Sequence, residues 1–532
     1  MSIRFAIAAV LVVTSIPLAL ADDWAQFRGP TGGALADSAL PTEWAADKKI
    51  QWTAQIPGYG WSQPIIVGDK VFVTTAITAN QQRPQVGGFG GRGGGPGGPG
   101  FNPGGKGGSP PGKGEAPPAG KGPPSADQGK AEQGKAGPGG FGGKGGAGGF
   151  GGGRGGFGQS RAPDAVYQWK VFCLDRATGK VLWDQVAFEG KPTIGIQGSN
   201  TYASQTPVAD GERVYAYFGM TGIFCFDMAG KPVWNKNLGS FPVAFGPGSS
   251  PALDSERVFV QCDNDERSFL VALDKRTGDE VWRVKREEGS NYATPYIWKN
   301  NLRTELVTSG SKVRSYDPAT GKLLWEYANF GGAVKPSPVG DPERLYVCTS
   351  GGGGFGPPGG KGPPGRPDAP GGAPPPGGGP GGGGRAANSP LVAIKAGAAG
   401  DISLSGTEAS NAGVAWSISP GGGGMASPLV YQGCVYVLQQ NGGIIGCYDA
   451  LTGQQHYRQR LDGASEFWSS PWAAGGKVYC LDSDGRTFVL EAGPKLKVLA
   501  TNKLDDNFRS SVALAPRQIL FRGVDRLYSV AE

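Results

Sequence analysis

Polar and apolar positions in this chain fall into short alternating runs, with no helical stretch among them. Arg213 to Phe218 and Ile223 to Phe226 are β-rich segments bounded by Gly, Asp and Asn. Asp482-Ser483-Asp484-Gly485 and Asn441-Gly442-Gly443 have the composition of tight hairpin turns. The pattern predicts strand, turn and strand throughout.

These runs are periodic. A hydroxyl residue followed by proline opens an apolar run at Thr206-Pro207, Ser250-Pro251, Thr294-Pro295, Ser337-Pro338, Ser427-Pro428 and Ser470-Pro471, with variants Gln63-Pro64 and Ser511-Val512. The prolines from Pro207 to Pro471 stand 44, 44, 43, 90 and 43 residues apart, and Val512 follows 41 later. The 90, like the 143 between Pro64 and Pro207, contains a Gly/Pro-rich insert. Without the inserts the period is about 43, room for four short antiparallel strands, which is one blade of a β-propeller.

A second phrase, Asp-x-x-Thr-Gly-x-x-x-Trp, recurs in each period. It is complete at Asp175, Thr178, Gly179, Trp183; at Asp274, Thr277, Gly278, Trp282; and at Asp317, Thr320, Gly321, Trp325. Asp449, Thr452 and Gly453 carry Tyr457 in the tryptophan slot, while Asp227, Gly230 and Trp234 form a copy one residue shorter. Asp suits the turn before the outer strand, Gly a positive φ, and Trp a large flat contact between blades, so the phrase is structural.

At this period the phrase resembles the tryptophan-docking repeat of quinoprotein-type, PQQ-like β-propellers. That family includes the pyrroloquinoline-quinone (PQQ) alcohol dehydrogenases and the non-catalytic propeller subunit of the outer-membrane β-barrel assembly machinery. Asp23-Trp24 with Phe27-Arg28-Gly29-Pro30 resembles the start of exported members of the group. The expected fold is all-β, an eight-bladed propeller. Seven markers from Gln63 to Ser470 begin blades one to seven, and Ser510 to Val530 gives part of an eighth. Its missing outer strand is expected from Lys49 to Ile56 at the other end, closing the ring and leaving no sheet edge. A seven-bladed ring is the alternative.

Residues 1–21 read as a signal peptide: Arg4, an apolar run from Phe5 to Leu20, then Ala19-Leu20-Ala21. The rest, 22–532, reads as one propeller domain without a transmembrane segment, exported to the periplasm or beyond. Two inserts, 81–165 in blade one and 351–387 in blade five, are Gly/Pro-rich and are expected to be disordered. Residues 81–165 hold a surplus of six Lys/Arg and residues 351–387 a surplus of two, against a net charge of +7 for the whole chain. The basic balance therefore belongs to the inserts, and the propeller offers nothing to a polyanion such as nucleic acid. Arg154-Gly155-Gly156-Phe157 resembles RNA-binding RGG segments, a reading that export argues against.

Catalytic constellations are sparse. With one histidine, His456, no His-rich zinc site exists, and GxSxG and Walker motifs are absent. Asp263-Asn264-Asp265-Glu266 lacks an EF-hand pattern and reads as a solvated hairpin. Seven cysteines, three of them (Cys173, Cys225, Cys447) in one repeated slot, read as small buried side chains, with disulfide pairing left open. The alcohol-dehydrogenase branch implies a disulfide of adjacent cysteines against the quinone and an Asp beside calcium. This chain has no Cys-Cys pair, so neither PQQ nor calcium is expected.

A surface remains. Trp61, Tyr202, Tyr292, Lys335, Trp468 and Arg509 precede inner strands and are expected around one mouth of the central channel, either as a recognition patch or as a plug. The expected function is a monomeric binding or scaffold protein of the cell envelope, with a protein or glycan partner and no catalysis. The alternative is a PQQ-dependent oxidoreductase.

Overall fold

The computed structural model describes residues 23–35, 38–86, 161–328, 330–349 and 389–532. The chain divides into a unit of residues 1–87 with 156–532 and a second of residues 88–155. The expected signal peptide, the RGG-like segments and most of both inserts lie outside the described residues.

The described residues form eight sheets, each with four antiparallel strands and two of them with a short fifth strand paired parallel, and a 3-10 turn at Gly219–Thr221 is their only helical element. Blade one runs outward from Ile65–Val67 through Lys70–Ile77 and Tyr167–Asp175 to Val181–Gly190. The inner strands of blades two to eight begin at Val208, Ala252, Tyr296, Val339, Leu429, Trp472 and Ala513. Blade one meets both blade two and blade eight along these strands, which closes the ring. The eighth blade takes its outer strand, Ile50–Gln55, from near the N-terminus, paired antiparallel to Arg526–Ala531 with Trp52 opposite Ser529. All seven cysteines are free and buried.

The repeated phrase acts across the blade boundary. Asp175 Oδ1 accepts from the Thr178 N–H at 2.8 Å and from its hydroxyl at 2.6 Å; Asp274, Asp317 and Asp449 hold the same turn. The turn then needs a positive φ at Gly179, Gly278, Gly321 and Gly453. The indole of the preceding blade lies flat on that glycine and donates Nε1–H to a turn carbonyl. Trp52 reaches Arg176 O (2.9 Å), Trp183 Met228 O (3.2 Å), Trp234 Lys275 O (3.0 Å), Trp282 Pro318 O (3.0 Å) and Trp416 Ala450 O (3.1 Å). Blade five lacks the phrase. Trp325 accordingly turns to Glu305 Oε2 at 2.7 Å, and Trp298 covers the Asp341 carbonyl instead.

The Ser/Thr-Pro marker has an equally specific use. Each hydroxyl accepts the backbone N–H of the matching residue one blade earlier, forming a belt around the channel. The links run Gln63→Thr206→Ser250→Thr294→Ser337→Ser427→Ser470→Ser511 at 2.8 to 3.1 Å. Each link satisfies a buried donor whose loss costs about 1–3 kcal/mol. The belt ends at Gln63, whose amide serves the N-terminal segment: Oε1 accepts from Arg28 N (3.1 Å) and Nε2 donates to Gln26 O (3.4 Å).

That segment enters the channel. Trp24 bridges antiparallel to Ile66 on blade one, and Ala34–Leu35 returns parallel to Trp472–Ala474 on blade seven. Residues 24–35 thus form a hairpin inserted from the end where inner strands finish, with Arg28 to Gly33 at its tip. The opposite end, where inner strands begin, is the mouth. Turns between second and third strands lie on the mouth face too. Both inserts interrupt such turns, in blades one and five, which stand opposite each other in the ring.

Candidate functional site

At the mouth, loops entering the inner strands bring five of the six expected residues into one connected layer. Trp61 Nε1 and Arg509 Nη1 both donate to Ser199 O at 3.0 Å. The Arg509 guanidinium lies 4.0 Å from the Trp468 ring and 6.0 Å from the Trp61 ring. Trp468 is fixed by its Nε1–H to Glu466 Oε2 at 2.9 Å. On the other side, Lys335 Nζ stands 5.9 Å from both the Tyr292 and Phe245 rings, and Tyr292 OH accepts from Phe245 N at 3.1 Å. Asn200, next to Ser199, joins the halves through Nδ2 to Phe245 O at 2.8 Å.

Tyr202 stands apart. Its ring packs edge-on against Tyr167 and Trp169 of blade one, and its hydroxyl donates to Ile194 O at 3.0 Å. Residues 81–86, the described start of the first insert segment, also reach the mouth side. Gln85 N donates to Gly198 O at 2.9 Å, and Arg83 lies 3.4 Å from Asp506.

Two cations of the mouth stand without an ion pair. Among the described residues neither Arg509 nor Lys335 has a carboxylate within ion-pair distance, and Arg509 Nε has no acceptor. Burial lowers Arg509 to about 10, opposed by Glu466, and burial alone lowers Lys335. Arg522, at the end of the blade-eight strand Gln518–Arg522, donates to Ser62 O and Oγ next to Trp61, and burial lowers it to about 9. Sequence reasoning missed Phe245, Arg522 and Arg28, the last despite its conspicuous Phe-Arg-Gly-Pro setting.

Blades three and four hold a different arrangement where a solvated hairpin was expected. Asp263 and Asn264 are buried. Arg286 grips the Asp263 carboxylate through Nε (2.8 Å) and Nη2 (3.0 Å) and reaches Thr308 and Tyr316 with Nη1. Arg314 and Glu288 continue the network at 2.5 Å. A polar run reads as surface until its counter-charge, 23 residues later, is placed against it. A small open cleft lined by Tyr217, Phe241, Gln261, Asp263, Asn264 and Asn291 lies beside it.

Among the described residues no three His, Cys, Asp or Glu converge as a metal site, and the hairpin tipped by Arg28 occupies one side of the channel. His456 sits on the outer strand of blade six, Gln455–Arg460, with its imidazole 4.0 Å from Asp449. Among the described residues no helix is long and apolar enough to cross a membrane.

Known proteins resemble the chain at three levels. A family model described as "Outer membrane protein assembly factor BamB" matches residues 168–355 and 400–494. The quinoprotein alcohol dehydrogenase PedH of Pseudomonas putida is 28% identical over 192 residues, and a quinoprotein ethanol dehydrogenase of Pseudomonas putida is 26% identical over 200. Each match covers 34% of this chain and 30% of the relative, so the chain spans under a third of the length of these curated relatives. Among solved structures, the quinohemoprotein alcohol dehydrogenase from Comamonas testosteroni has a TM-score of 0.52 at 10% identity, covering 96% of this chain and 80% of that one. BamB from Moraxella catarrhalis has a TM-score of 0.46 at 12% identity, covering 68% and 88%. With more than half of its residues inside the BamB model and an eight-bladed all-β ring, the chain belongs to the PQQ-like β-propeller family.

Proposed function

We propose that this protein is an exported, monomeric binding or scaffold propeller of the cell envelope, without catalysis, that docks a protein or glycan on its mouth face. One observation carries the reading: Arg509 and Lys335 stand half-buried among Trp61, Trp468, Tyr292 and Phe245 with no carboxylate of their own. Aromatic rings held by hydrogen bonds, with partly desolvated cations, form the composition that dominates binding hot spots. Such cations gain most from a partner that brings acidic groups to them. The family model, described by a membrane-protein assembly factor, supports a protein partner over a small substrate. Neither bound PQQ nor calcium is part of this reading.

The test is affinity capture from the native envelope with the wild type and with Lys335→Glu/Arg509→Glu, compared by quantitative mass spectrometry. A partner enriched by the wild type and lost from the folded double variant supports the proposal. The same proteins captured by both would remove the mouth from the account.

A further inference from the structure

Exposed apolar side chains concentrate on the outer hairpin of blade one. Val166, Val181, Leu182, Val186 and Phe188, each 38 to 51% exposed, lie on or beside its strands Tyr167–Asp175 and Val181–Gly190. The second of these is the outer strand and has ten residues, against five or six in the outer strands of the other blades. Its burial alternates, so that Leu182, Asp184, Val186 and Phe188 form an exposed row while Trp183 turns to the Met228 carbonyl of blade two. Among the described residues no strand pairs with its outer edge. Backbone N–H and C=O groups therefore face outward beside apolar side chains, the arrangement that invites another strand.

The other blades blunt this edge. Lys236 in blade two, Arg283 in blade three, Arg458 and Arg460 in blade six and Lys503 in blade seven put positive charge on the outer strand. Blade four is covered, because Gly400–Asp401 pairs parallel to Trp325–Glu326 as a fifth strand. Val414–Ile418 and Ile50–Gln55, in blades five and eight, are short. Val181–Gly190 is long and contains no Lys, Arg or Pro. Its charges are Asp184, neutralised within the hairpin by Lys170, and Glu189, which accepts from the neutral Gln168 amide at 2.6 Å. A second copy of this strand would bring like charge to the edge, whereas a strand carrying Lys or Arg complements it.

We propose that the outer edge of blade one receives an extended segment of another protein as a fifth strand, with apolar side chains against Leu182, Val186 and Phe188 and a Lys or Arg beside Glu189. Main-chain hydrogen bonds supply affinity in such strand addition, and alternate side chains supply specificity. The site lies on the rim of the ring and stands independently of the mouth reading.

The probe is a fluorescein-labelled peptide, Lys-Val-Thr-Val-Lys-Val-Thr-Val-Lys, titrated with the purified full chain and followed by anisotropy. It should bind saturably, and hydrogen exchange should slow at Val181–Gly190 in the complex. The same peptide with proline at its two central valines, which lacks those N–H donors, should not bind. Leu182→Lys/Val186→Lys changes exposed positions only and should weaken binding about tenfold, through two lost cross-strand apolar contacts. Glu189→Lys should shift preference toward a counterpart peptide with Glu in place of Lys. No binding, equal binding of the proline peptide, or binding unchanged in the double variant would overturn the site. Dimerisation of the free protein that the double variant abolishes would also overturn it, giving the edge to a second copy.

Discussion

The Trp52 indole covers Gly179 so closely that a Cβ on the glycine would stand 2.5 Å from the ring, although the two residues belong to the first and last blades. Trp52 Nε1 also donates to Arg176 O, in the same turn, at 2.9 Å. This contact seals the seam where the ring begins and ends.

Gly179→Ala should therefore lower the melting temperature by several degrees through two effects, the positive φ and the collision with Trp52. Gly68→Ala separates them. Gly68 has φ +57° with nothing within 4 Å of an added Cβ, so it should cost only the backbone term, about 1 kcal/mol. Paired thermal melts decide; equal losses would mean that the ring contact contributes nothing.

Removing residues 22–56 should open the ring. The deletion takes the outer strand Ile50–Gln55 from blade eight and exposes the backbone edge of Arg526–Ala531. It also removes the channel hairpin. The truncated protein should aggregate or melt far below the parent, and Trp52→Ala alone should cost about 3–5 kcal/mol. A soluble truncation with unchanged melting would show that the C-terminal residues close the ring unaided.

Much of this seam is legible in the sequence, because the repeat is local. Asp175 and Gly179 announce themselves by spacing and by the chemistry of one turn, and Trp52 lies in the closing strand expected over Lys49 to Ile56. The Ser/Thr-Pro marker shows its period but not its role, since each hydroxyl acts on a backbone N–H one blade away. Arg28 is harder still: its acceptors, Pro428 and Pro471, lie 400 and 443 residues along the chain. Tyr202 has the right position for the mouth and packs on Tyr167 instead, a choice made by side-chain packing that no one-dimensional pattern records.

Stability should fall in acid from identifiable carboxylates. Burial raises Asp210, but Lys275 Nζ at 2.9 Å and the N–H groups of Arg213 and Glu212 bring it below its ordinary 3.8. Arg283 beside Glu280 and Lys312 beside Glu326 likewise hold those groups below 4.5. Groups lowered in the folded state contribute stability at neutral pH that is lost as pH falls through the carboxylate range. Calorimetry should show a nearly constant melting temperature from pH 7 to about 5 and a decline below. Lys275→Met should be less stable at pH 7, with its deficit narrowing toward pH 3; a deficit independent of pH would assign the loss to packing.

The central claim is a propeller that binds rather than oxidises. Its most direct test is a titration of the purified protein with PQQ and calcium, followed by thermal melting and by dye-linked alcohol oxidation. The account predicts an unchanged melting temperature and no alcohol-dependent dye reduction. A saturable rise at micromolar PQQ, accompanied by alcohol-dependent dye reduction, would contradict it.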